Sequence, residues 1–187
     1  MRNVTIVIEG VTPYSQSRMH DTPKLNKERP DDYEERTWRE KCTTDEHGNV
    51  CIPGIAPKML LDAMAKRRGD KTKGKGTFTK HFVGGVQPLD LYSTIGVRKD
   101  DIQCIKLWCH STGQRGSGSR VLRWFPQAAV WKATINLGIV DDAILPHLLE
   151  EYMQEGGQVI GLGRWRPEQG GLNGRFKVKS IKWTNGG

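Results

Sequence analysis

The chain has 187 residues and carries 29 Lys and Arg against 21 Asp and Glu, a formal net charge of +8 with a pI near 9.4. That length buries a core without disulfide support and suggests one domain, 1–187. The basic excess points to a polyanionic partner, nucleic acid before anionic membrane, and no apolar run approaches the roughly 18 residues of a membrane span.

The opening "MRNVTIVIEGV" is a short alternating stretch, with no signal-peptide core, so a cytoplasmic protein is expected, in the host cytoplasm if phage-encoded. Val4, Ile6 and Ile8 share one face of a strand, and Thr5, Val7 and Glu9 the other. Residues 12–50 are long, polar and charged, and read as an insertion that projects from the core. Within it, 31–41 predicts a helix capped by Asp31 after Pro30. "NVCIPGIAPKMLLDAMAKRRG" predicts a short strand and then a helix with an apolar stripe of Ile55, Met59, Leu60, Ala63 and Met64. Lys66, Arg67 and Arg68 suit its C-terminal end and Gly69 its stop.

"GDKTKGKGTFTKHFVGG" reads as a basic glycine-rich loop, followed by strands in "LDLYSTIGV" and "DIQCIKLWC". "HSTGQRGSGSRVLRWFP" reads as a second glycine and arginine loop. "AAVWKATINLGIV" is a strand with Trp131, Ala133, Ile135, Leu137 and Ile139 on one face. "DDAILPHLLEEYMQEGG" predicts a helix with an Asp cap, the pairs Ile144/Leu148/Tyr152 and Leu145/Leu149/Met153, and a glycine stop. After a third loop, 158–176, "RFKVKSIKW" is the last strand, with its alternation slipping near Ser180 as at a bulge.

Without the loops the order is strand, helix, strand, strand, helix, strand. This predicts an α+β, ferredoxin-like (RRM-like) split βαβ core with extended Gly-rich loops and the long insertion after its first strand. The helices cover one face of the sheet. The other carries Thr5, Lys132, Thr134, Asn136, Lys177 and Lys179, a polar basic surface that suits nucleic acid and equally a solvated face.

The three loops combine glycine, cations and aromatic rings. Lys71, Lys73, Lys75 and Lys80 lie in the first, interleaved with Phe78 and His81. Arg115, Arg120 and Arg123 lie in the second, before Trp124 and Phe125. Arg164, Arg166 and Arg175 lie in the third, around Trp165. Glycines let backbone amides approach phosphates, arginine forks match phosphate oxygens, and rings stack on unpaired bases. The combination favours single-stranded nucleic acid over duplex. Trp165 reads as exposed, Trp131, Trp108 and Phe176 as core, and Trp124 with Phe125 as either.

"GKGTFTK" lacks the G-x-x-x-x-G-K-[ST] pattern and "GLGRW" follows a helix, which excludes both a phosphate-binding loop for nucleotide hydrolysis and a dinucleotide fingerprint. The four cysteines form no CxxC pair, and Cys42, His47 and Cys51 bind a metal only if further ligands converge, so free thiols and no metal or cofactor are expected. For a metal-free ribonuclease, His20 and His81 are the candidate bases. Asp141 with Asp142 reads as cap and dipole partner.

"IPGIAPKMLLDAM" (52–64) resembles the start of the first helix in the backbone proteins of the RAMP superfamily, which includes subunits of CRISPR effector complexes. "IGLGRWRPEQGGLNGRF" (160–176) resembles their glycine-rich loop, although it is longer and more charged here. "RTWREKC", "GTFTKHF", "GSGSRVLRWFP" and "GLGRWRPEQGGLNGRFKV" resemble a widespread group of phage and prophage proteins. The resemblance implies backbone-mediated binding of single-stranded DNA or RNA, often in a filament of repeated subunits. It places Lys58 near phosphate and 12–50 against a neighbouring subunit or the bound strand.

The sequence thus predicts a non-enzymatic single-stranded nucleic-acid-binding protein with little sequence preference, a homo-oligomer or a subunit of a nucleoprotein complex, away from membranes. The alternatives are a metal-free endoribonuclease of the crRNA-processing type, and a backbone-subunit mimic that engages or inhibits a CRISPR complex.

Overall fold

A computed structural model describes residues 1–112, 116 and 118–185. β1 (Arg2–Gly10) buries Val4, Ile6 and Ile8, as its alternation requires. The 12–50 segment then contributes β2 (Tyr14–Ser15), α1 (Pro30–Thr37) and a 3-10 turn, Trp38–Lys41. Its two ends are docked: Tyr14, Trp38, Cys42 and Val50 join the core, while most of 17–32 is exposed. Asp31 is not the cap of α1. Arg29 occupies that position and Pro30 opens the helix, where a missing N–H costs nothing.

β3 (Asn49–Pro53) leads into α2 (Ile55–Arg68), which ends at Gly69 in the left-handed conformation. The predicted stripe is rotated. Leu60, Leu61, Met64 and Ala65 are buried, whereas Ile55 and Met59 are exposed. Apolar residues occur almost all round this helix, so their period does not select one face.

The end of the expected first loop is a helix, α3 (Thr79–Gly85), and the strand β4 (Val86–Pro88) follows it directly; Phe82 and Val86 enter the core and fix the two. The strands β5 (Tyr92–Arg98) and β6 (Gln103–His110) form as predicted. The second expected loop contains a strand, β7 (Arg120–Ala128), paired antiparallel with β6 through eight positions from Gln103↔Gln127 to His110↔Arg120. Glycines ahead of it, its arginines and Pro126 conceal the strand in the sequence.

β8 (Lys132–Ile139) buries Ala133, Ile135, Leu137 and Ile139 on the predicted face, with Trp131 just before it. α4 (Pro146–Val159) starts later than the aspartates suggested. Leu145 is its cap position, and Asp141 instead accepts the Ala143 N–H at 2.9 Å in the preceding turn. Gly156 and Gly157 do not stop α4. They lie within it where Leu60 and Phe176 press too closely for a methyl group. In β9 (Phe176–Asn185) the register shifts between Val7 and Ile8 of the neighbouring strand, leaving Lys179 as the extra residue of the bulge.

The fold is α+β with antiparallel sheets. Four strands run in the order β4-β8-β1-β9, every neighbouring pair antiparallel. β5 and β6 stand outside that sheet: β5 pairs with β3, and β6 is the edge of β2-β7-β6. Among the described residues no helix is long and apolar enough to cross a membrane.

Candidate nucleic-acid interface

The β6–β7 hairpin and the 158–176 loop enclose an open cleft of about 770 Å³. Its walls are residues 107–111 along the edge of β6, Arg120, Arg123 and Phe125 of β7, Arg164 and Trp165 of the loop, and Ser17, Glu34 and Lys41 of the 12–50 segment. Four cationic side chains and one carboxylate line it. Two of the three glycine and arginine segments therefore meet at one place.

Glu34 organises the cationic wall. It is 6% exposed and accepts from Lys41 Nζ at 2.5 Å, from Arg123 Nη1 at 2.5 Å and from the Trp124 N–H at 3.3 Å. Burial pushes its carboxyl up, but the bonds from Lys41 and Arg123 outweigh that and hold it below the ordinary carboxylate range. Lys41 also donates to the Trp124 carbonyl at 2.8 Å and lies 4.7 Å over the Phe125 ring. α1 is thus pinned to β7 through charge.

Arg164 is held differently. Its guanidinium carbon lies over Phe125, 3.4 Å from the ring centroid, and Nη2 reaches Cys109 Sγ at 3.5 Å. Nη1 is buried without a partner. Burial lowers its pKa from the usual arginine range. Of the cleft arginines, Arg123 is committed to Glu34, Arg120 is exposed, and Arg164 has a cation–π contact and an unused donor.

Trp165 is 37% exposed and has φ of 59°, an outlier for a bulky side chain. Trp108, expected in the core, is 66% exposed, because neither face of β6 carries a buried residue. Trp124 is partly buried with Lys106 Nζ 3.7 Å over its ring, and Phe125 is buried.

The other predicted contacts lie elsewhere. Arg115 lies outside the described residues. Arg166 turns to Glu168 at 2.7 Å and lines an adjoining depression with Arg18 and Thr43. Arg175 has an unpartnered buried Nε, and its backbone is tied to Thr12. Lys177 lies 3.8 Å from Glu9 on the open sheet face. Lys58 pairs with Asp62 on α2. Lys71, Lys73 and Lys75 are exposed in the turn between α2 and α3, Phe78 packs on the core, and Lys80 is exposed. His81 meets Asp141 at 2.7 Å. None of these lines the cleft.

His20 contacts Thr22 Oγ1 at 3.1 Å and stacks on Tyr33, also away from the cleft. The histidine that does line it is His110, whose Nε2 accepts the Gly116 N–H at 3.2 Å. Cys42 and Cys51 are buried free thiols, and among the described residues no three His, Cys, Asp or Glu side chains converge as metal ligands. Sequence reasoning missed Glu34, Lys41 and Cys109 as cleft residues. Each also meets a partner remote in the chain, Arg123 for Glu34, Trp124 for Lys41 and Arg164 for Cys109, and no local pattern marks them.

In fold, the chain is similar to one from the Type III-B Cmr-beta bound to cognate target RNA. The TM-score is 0.53 at 12% identity, covering 98% of this chain and 61% of that one. The present chain therefore spans less than two thirds of that neighbour. Cmr6 from Pyrococcus furiosus aligns with 95% of this chain and 99% of its own, at 11% identity and a TM-score of 0.49. No protein-family model and no curated protein sequence matches. At this identity the likeness is one of fold alone.

Proposed function

We propose that this protein binds single-stranded nucleic acid in the β6–β7 cleft, as a non-enzymatic subunit of a nucleoprotein complex. The observation that carries this reading is the convergence of Arg120, Arg123, Arg164 and Trp165 on one open cleft. Arginine forks bind phosphate oxygens, and a partly exposed indole accepts an unstacked base. The similar structure holds a target RNA, so RNA is the first polymer to test.

The core is read as a ferredoxin-like split βαβ unit of the RAMP type. The sheet order supports this: β1-α2-β4 and β8-α4-β9 each place a helix between strands that flank a third, antiparallel strand. A binding role is preferred to cleavage: neither predicted base, His20 or His81, lines the cleft, and His110, which does, already accepts the Gly116 N–H through Nε2. Assembly along the strand and a cytoplasmic setting complete the reading.

The test is a shift assay with labelled single-stranded RNA, single-stranded DNA and duplex at two salt concentrations. Single strands should bind at low salt and weaken steeply as salt rises. Replacing Arg120 and Arg164 together with alanine should weaken binding across all sequences, and replacing Lys71, Lys73 and Lys75 should change it less. No shift of any single strand at low salt would sink the proposal.

A further inference from the structure

Arg164 and Trp165 are consecutive residues, and both line the cleft. Trp165 adopts a left-handed backbone conformation, φ 59°, which costs a bulky residue energy unless its surroundings impose it. Here they do. The Arg164 N–H donates to the Ser15 carbonyl at 2.7 Å, and the Asn173 N–H donates to the Trp165 carbonyl at 3.0 Å. Gly171 presses so closely on Trp165 that a Cβ there would fall 1.9 Å from its carbonyl oxygen. The loop thus fixes the strained residue from both sides while its indole stays 37% exposed at the cleft. Beside it, the Arg164 guanidinium is held over Phe125, with Nη1 buried and unpartnered.

We propose that Arg164 and Trp165 form a one-nucleotide recognition unit that requires the base as well as the phosphate. A phosphodiester oxygen accepts from the Arg164 guanidinium, and the attached base stacks on Trp165. This rests on the nucleic-acid reading above and sharpens it. A protein that only tracks the backbone ignores the loss of bases; this unit does not. It also excludes duplex, whose bases are already stacked on one another. A stacked base contributes through its π-face, so the unit tolerates any base while demanding one.

The experiment compares a single-stranded RNA oligomer with an abasic oligomer of the same length and intact sugar-phosphate chain. The wild-type protein should bind the abasic strand at least tenfold more weakly, the scale of one lost aromatic stack. Trp165→Ala should lose about tenfold on the intact strand and little on the abasic one, which also reports that the variant is folded. Trp165→Phe should recover most of the difference, and quenching of tryptophan fluorescence should accompany binding of the intact strand alone. Equal binding of both strands by wild type, or equal losses by Trp165→Ala on both, overturns the base requirement and leaves backbone binding standing. If neither strand binds at low salt, the nucleic-acid reading itself fails.

Discussion

Replacing Glu34 with alanine is expected to destabilise the fold by about 3 kcal/mol, at the lower end of the range for breaking a buried ion pair. Glu34 and Lys41 have side chains only 7% and 10% exposed. Without the carboxylate, the Lys41 ammonium keeps the Trp124 carbonyl and the Phe125 ring but loses its counter-charge. Arg123, with its side chain 40% exposed, turns to solvent and contributes less. Denaturant unfolding at neutral pH measures the loss, and a change below about 0.5 kcal/mol would show that the cluster is not a stabilising unit.

Acid separates charge from packing. The Glu34 carboxyl is held below its ordinary value in the folded state, so the unfolded state takes up its proton first. The carboxylate's stabilisation is full above the unfolded value, about 4.3, and is lost as pH falls through the lower folded value. The gap between wild type and Glu34→Ala should therefore be widest near neutral pH and narrow on acidification. A gap that does not change with pH would assign the effect to packing alone.

This cluster also shows why the cleft was only half legible in the sequence. Arg120, Arg123, Arg164 and Trp165 stand out because arginine, glycine and aromatic residues concentrate around them. Glu34 lies 89 positions from Arg123, and nothing local distinguishes it from Asp31, Asp32 or Glu35. Burial at the meeting of α1 and β7 selects it, and only tertiary structure sets that burial. The same holds for Trp108. Its neighbours in β6 alternate as a strand should, yet neither face of the strand is buried, and an indole that composition assigns to the core stays in solvent.

Among the elements, β1, β8 and α4 were legible because buried aliphatic residues repeat at their periods. β4 was not, since three residues just after a basic glycine-rich stretch carry no period, and β7 was hidden by its arginines and Pro126. The consequence is topological. The second strand of the four-stranded sheet is β4, three residues that the sequence pattern assigns to no element, while the conspicuous β5 and β6 pair elsewhere.

Replacing Gly174 with alanine is the other change expected to have a large effect, about 3 kcal/mol or more with loss of nucleic-acid binding. The sequence suggested that loop glycines let the backbone approach a bound strand, but at Gly174 the close approach is to the protein itself. Its φ is +75°, and a Cβ would lie 1.7 Å from the Leu162 carbonyl oxygen. That oxygen is backbone and cannot swing aside. The surrounding chain is tied down as well: the Leu162 N–H donates to the Gly174 carbonyl at 3.0 Å, and the Gly174 N–H to the Pro13 carbonyl at 2.7 Å. Left-handed strain adds to overpacking, and relief requires the 158–176 loop to shift, carrying Arg164 and Trp165 out of the cleft. Gly69→Ala is the matched comparison. Gly69 has φ of +61° with nothing within 4 Å of the added methyl, so strain alone should cost about 1 kcal/mol and leave binding intact. Thermal unfolding and the RNA shift assay on both variants check the pair. Similar small losses in both, with binding preserved, would show that Gly174 is dispensable to the position of the loop.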